Sequence, residues 1–121
     1  MSRFTALIGL CGALGLPVAH AHHSYAMFDA SKKVTLHGTL KQFQWTNPHS
    51  FLQLLVPSGG DTQEWSIQMN SPLDLYRVGW RPTTVKAGDI ITVVIHPTRD
   101  GARSGILVSG TGADGKAFPM N

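Results

Sequence analysis

Histidine is the residue type with the most chemistry to offer in this sequence. His22 and His23 stand together, His37 follows, His49 closes the stretch Trp45-Thr46-Asn47-Pro48-His49, and His96 precedes a proline. If processing makes His22 the first residue, its free amine and ring Nδ1 chelate one metal ion. A second imidazole then completes a T-shaped set of nitrogens resembling the histidine brace of exported copper proteins. Such a donor set suits copper(II), which heads the affinity series for nitrogen sites. His49 is the candidate for the second imidazole, because a proline turn fixes its backbone at a strand end. The expected metal ligands are therefore His22, His23 and His49, with copper as the expected cofactor and Met27 as a soft ligand for copper(I).

The same residues have a plainer account. His22 and His23 also fit a polar arm with no ligand, and His49 a turn residue whose ring hydrogen-bonds a backbone carbonyl. His37, beside Gly38 on the polar face of a strand, is expected to face solvent. His96, ending a strand before Pro97, is expected to be structural.

Catalytic constellations are lacking. The chain has one cysteine, Cys11, and no glycine-framed serine, phosphate-cradling loop or suggestively spaced pair of carboxylates. Ser24 follows His23 and Ser50 follows His49, but neighbours on a strand point to opposite faces. The expected function is non-enzymatic, and a copper-dependent oxidoreductase is the one enzyme class with any support. The alternative to a metal protein is an interaction module binding a small ligand or a protein through Trp45, Asn47, Glu64 and Gln68. Trp45 would stack at a barrel mouth, while Glu64, Ser66 and Gln68 occupy the polar face of one strand.

The elements that must position these groups can be read in order. Arg3 precedes an apolar run, Phe4 to Leu16, too short to span a bilayer, and Ala19-His20-Ala21 is a small-x-small cleavage pattern. Residues 1–21 are thus expected to be a signal peptide, residues 22–33 an extended arm, and residues 34–121 one barrel domain. Cys11 leaves with the signal, so the remaining chain forms no disulfide. Without Arg3, nine of the ten Lys and Arg face seven Asp and Glu, a net charge near +2, and the basic residues are dispersed. The expected partners are accordingly a metal ion, a small ligand or a periplasmic protein, with no nucleic acid and no membrane span after cleavage.

Val34 to Trp45 alternates, with Val34, Leu36 and Leu40 on one face, and then shifts phase to Phe43 and Trp45. A shift of phase requires a bulge, and Gly38 permits a bend. Strands follow at about Ser50 to Val56, Thr62 to Met69, Ile90 to His96 and Arg103 to Thr111. The one helix begins at Ser71-Pro72 and ends at Gly79, and Trp80 is expected to clamp it to the barrel. Trp65, alternating with Ile67 and Met69, is expected in the core. Five strands with a short helix between the third and fourth predict a mainly β fold, an OB-like Greek-key barrel.

His22-His23-Ser24, Trp45-Thr46-Asn47-Pro48-His49, Ser71-Pro72 with Gly79-Trp80, and Lys86-Ala87-Gly88-Asp89 together resemble DUF6152, a family of small exported bacterial proteins of unknown function. The resemblance runs over essentially all of the chain after the signal. It implies an exported, periplasmic protein and no particular activity. The family pattern has a glutamate where this chain has Gln68, which implies that any ligand or base role of that carboxylate is weakened here.

Overall fold

A computed structural model describes residues 25–121. The signal peptide expected at residues 1–21, His22 and His23 lie outside the described residues.

Five strands, β1 (Val34–Gln44), β2 (Phe51–Ser58), β3 (Asp61–Gln68), β4 (Ile90–Pro97) and β5 (Ser104–Thr111), close into a barrel in the order β1-β2-β3-β5-β4. One helix, α1 (Pro72–Arg77), lies between β3 and β4. All pairings are antiparallel except β3 with β5, which is parallel. The fold is the expected mainly β, OB-like barrel.

The phase shift in β1 has its cause in a bulge. Leu40 pairs with Leu54 and Gln42 with Gln53, leaving Lys41 without an opposite residue. Leu36 and Leu40 before the bulge and Phe43 after it thereby all reach the core. Gly38 serves a close approach, since a Cβ there would overlap the carbonyl oxygen of Leu55. β1 can therefore pair with β4 through its first half and with β2 through its second. Between β2 and β3 the turn is tighter than the strand ends expected at Val56 and Thr62 imply. Both strands continue to Ser58 and Asp61, and the connection is Gly59-Gly60, with φ of 56° and 93°. Two consecutive positive φ values match the twist of a hairpin and favour glycine at both positions.

α1 is set by its ends. The Ser71 hydroxyl oxygen accepts from the Asp74 backbone N–H at 3.3 Å, and Pro72 occupies the first turn. Gly79, at φ 112°, donates to Tyr76 O, and Trp80 N–H donates to Leu75 O. This paired closure is the glycine-terminated C-cap expected of a short helix. It turns Trp80 into the barrel end, where the indole is fully buried, packs against Phe43 and Phe118 at 5.8 and 5.0 Å, and donates to Met120 O at 2.9 Å.

The core comprises Leu36, Leu40, Leu52, Leu54, Ile67, Met69, Ile91, Val93, Ile95 and Leu107 from the strands, closed by Leu75, Trp80 and Val85. Trp65 packs against it half-buried, its indole N–H enclosed and without an acceptor among the described residues. Leaving such a donor unpaired costs about 1 to 3 kcal/mol.

Candidate functional site

β1 ends at Gln44, and the chain turns through Trp45-Thr46-Asn47-Pro48-His49 with a cis bond between Asn47 and Pro48. The Thr46 hydroxyl donates to the His49 carbonyl at 2.7 Å, closing the loop on itself. Ser50, fully buried, then enters β2 by donating its N–H to Asn70 O and accepting from Met69 N–H. This exchange ties the loop to the end of β3.

The half-buried His49 ring lies against that joint. Its Nδ1 is 3.2 Å from Met69 O, and a carbonyl can only accept, so Nδ1 carries a proton. Nε2 is buried. A carbonyl that fixes the far nitrogen of an imidazole is the arrangement that orients histidines for metal binding. It is equally what a structural histidine would adopt.

Tyr25 reaches the same joint from the arm. Its hydroxyl donates to Asn70 Oδ1 at 3.3 Å. Behind it, Tyr25–Met27 forms one 3-10 turn and Phe28 is buried, bridging to Thr98. Asp29 N–H donates to Pro97 O, Arg99 N–H to Met27 O, and the Arg99 guanidinium to Ala26 O. Asp29 also accepts from the Ser31 hydroxyl and backbone, lies 3.8 Å from Arg99, and has its carboxyl held below the usual range, first by the Ser31 hydroxyl. The arm is thus fastened along the β4–β5 end and directed at Asn70. Met27 is exposed on it.

The other histidines serve the scaffold. His37 is exposed, as expected, with Nδ1 2.8 Å from Thr92 Oγ1 across the β1–β4 pair. His96 Nδ1 donates to Lys32 O at 2.7 Å and holds the arm's exit. Among the described residues no three His, Cys, Asp or Glu gather in a metal-binding cluster.

The four expected ligand-binding residues separate. Trp45 is half-buried and packs edge-on to Phe43 at 5.7 Å, so much of its surface is spent on the core. Asn47 is exposed at the loop tip. Glu64 pairs with Lys41 at 3.1 Å in an exposed ion pair. Gln68 lies opposite Phe51, which lies opposite Gln44, and the next row across the sheet is Gln42, Gln53 and Ser66. Gln53 Nε2 donates to Gln44 Oε1 at 2.7 Å. The outer face of β1–β2–β3 is therefore rich in neutral amides around one phenylalanine. Tyr25 and Asn70 escape a sequence reading because the contact joining them spans 45 residues.

The family model described as "Family of unknown function (DUF6152)" matches residues 12–108. The chain belongs to that family. No curated protein matches this DUF6152 member significantly. Among solved structures it is similar to the S. cerevisiae mitochondrial single-stranded DNA-binding protein Rim1, at 14% identity and a TM-score of 0.47, over 74% of this chain and 97% of that one. That neighbour corrects the expectation that nucleic acid is excluded as a partner. Charges dispersed along a sequence do not reveal which ones a barrel gathers, so the exclusion is withdrawn. A likeness this distant assigns no ligand.

Proposed function

We propose that this DUF6152 member is an exported, periplasmic β-barrel protein that binds one copper ion through His22, His23 and Nε2 of His49. One observation carries the reading. Tyr25 is hydrogen-bonded to Asn70, the neighbour of the Met69 whose carbonyl orients the His49 ring. His23 precedes Tyr25 by two positions, and two residues of chain span at most about 7 Å. Chain length therefore permits the arm's histidines to meet the loop.

In this reading the protein supplies nitrogen donors and holds them. Cleavage after Ala21 frees the His22 amine, which with its own Nδ1 forms a chelate; His49 adds a pre-oriented imidazole. Bound copper would gain up to four nitrogen bonds, from the His22 amine and Nδ1, the His23 imidazole and Nε2 of His49, and Met27 offers a thioether for the reduced ion. Carriage or buffering of copper is the role such a site suits.

The test is copper(II) titration of the processed protein, its N-terminus confirmed by mass spectrometry, with calorimetry and electron paramagnetic resonance on wild type and His49→Ala. One-to-one binding at sub-micromolar affinity with nitrogen hyperfine structure, weakened in the variant, is expected. Weak binding that is the same in both proteins would sink the reading.

The outer amide face supports a second one, a non-enzymatic interaction module. Gln42, Gln44, Gln53 and Gln68 offer donors and acceptors without charge, and Phe51 offers a surface for packing. Peptide backbones and sugar hydroxyls are the chemistry such a face matches. Binding of a peptide or glycan that survives His49→Ala and is lost in Gln68→Ala would favour it.

A further inference from the structure

A cleft of about 410 Å³ opens between the loop leading into β4 and the hairpin that follows β5, well apart in sequence from the His49 loop. Its volume is within the range of small-molecule sites, roughly 300 to 1,000 Å³. Both walls are fastened. On one side Gly88 N–H donates to Leu40 O, and Leu40 N–H donates to Asp89 O. On the other, Gly112 N–H donates to Lys116 O, and Phe118 N–H donates to Gly110 O. The cleft is preformed rather than waiting on a ligand to order it.

Its charged groups divide into two kinds. The two carboxylates have structural employment: Asp89 Oδ2 accepts from Lys86 N–H at 3.0 Å, and Asp114 Oδ1 accepts from Lys116 N–H at 2.9 Å, each closing its own turn. The two ammonium groups have none. Lys86 and Lys116 line opposite walls, are exposed, and make no side-chain hydrogen bond or ion pair among the described residues. Phe118 and Pro119, half-buried, form an apolar floor.

We propose that this cleft binds a small organic dianion, its two negative groups meeting Lys86 and Lys116 and its carbon body resting on Phe118. The lysines are flexible point charges, so they recognise charge more than shape, and carboxylate and phosphate groups are both admissible. The site is independent of the copper reading. Charge-driven binding to exposed ammonium groups weakens as salt rises.

The experiment is an NMR titration of the full processed protein in low salt with succinate and, separately, inorganic phosphate. It is repeated on Lys86→Ala, Lys116→Ala and the charge-keeping Lys86→Arg. Saturating shifts confined to residues 83–89 and 112–119 are expected, with affinity about tenfold weaker in each alanine variant and retained in the arginine one. Tighter binding of succinate than of phosphate assigns the carbon body a role; equal binding reduces the ligand to a simple anion and overturns that part. Shifts that rise linearly without saturation, that scatter over the surface, or that are unchanged in both alanine variants overturn the site. The variants' undisturbed spectra elsewhere would show that each is folded.

Discussion

The Nδ1 of His49 donates to the carbonyl oxygen of Met69 across 3.2 Å, joining the loop after β1 to the end of β3. Two effects of His49→Ala are therefore separable. Loss of a partly buried neutral hydrogen bond lowers stability by about 1 kcal/mol, seen as a fall of a few degrees in thermal midpoint. That loss follows whatever the ring's function. Only copper affinity distinguishes ligand from brace.

Tyr25→Phe tests the arm more selectively. It removes the hydroxyl that meets Asn70 and leaves the ring and the buried Phe28 in place. Being exposed, the bond contributes less than about 1 kcal/mol. Global stability by urea titration should barely change, while copper(II) dissociation should rise severalfold. Unchanged copper affinity would show that the arm needs no anchor at Asn70.

Trp80 closes the barrel end. Trp80→Ala empties a fully buried site and leaves Met120 O without its donor, so a loss of about 3 to 5 kcal/mol is expected. Trp80→Phe keeps much of the volume and should lose less. Chemical denaturation of both variants gives the comparison, and equal losses would mean that the hydrogen bond outweighs packing.

Gly38→Ala drives a methyl into the Leu55 carbonyl. Overpacking of this kind typically costs about 1 to 3 kcal/mol. Backbone overlap gives no flexible side chain to move aside, so the upper part of that range is expected. A neutral result would mean that β1 and β2 separate easily there.

Asp29 supplies a pH-dependent test. Its pKa lies below the ordinary value because the folded state favours the carboxylate, first through the Ser31 hydroxyl and then through the Ser31 N–H, Arg99 and Lys32. The stability it contributes is thus present above the unfolded-state pKa, about 3.9, and fades as pH falls through the lower folded value. Asp29→Asn should be less stable than wild type near neutrality, with the difference vanishing near pH 2. A difference independent of pH would remove charge from the explanation.

Local pattern made much of this fold legible. Alternation with one phase break predicted a bulge in β1, which falls at Lys41, and Ser71-Pro72 with Gly79 predicted both ends of α1. These signals are carried by residues close in sequence, acting through backbone geometry. What stayed hidden depends on distant partners. The parallel β3–β5 pairing leaves no mark in either strand, nor does Asn121, whose side chain accepts from Asn70 N–H and donates to Leu107 O. Trp45 illustrates the limit at the site: a strand-end tryptophan reads as a platform for ligands, and Phe43 two residues earlier turns it edge-on into packing.

The parallel seam also bears on self-association. β3 meets β5 through only Ser66, Ile67 and Gln68, so among the described residues the backbone from Asp61 to Trp65 has no strand on that side. Unpaired strand edges invite a second chain to add on, and charged side chains discourage it. Asp61 stands exposed on this five-residue edge, and Glu64 stands there in its ion pair with Lys41, so a strand adding here would meet charged groups. The gap in an otherwise closed barrel thus carries a charge that discourages a second copy from adding its own strand there.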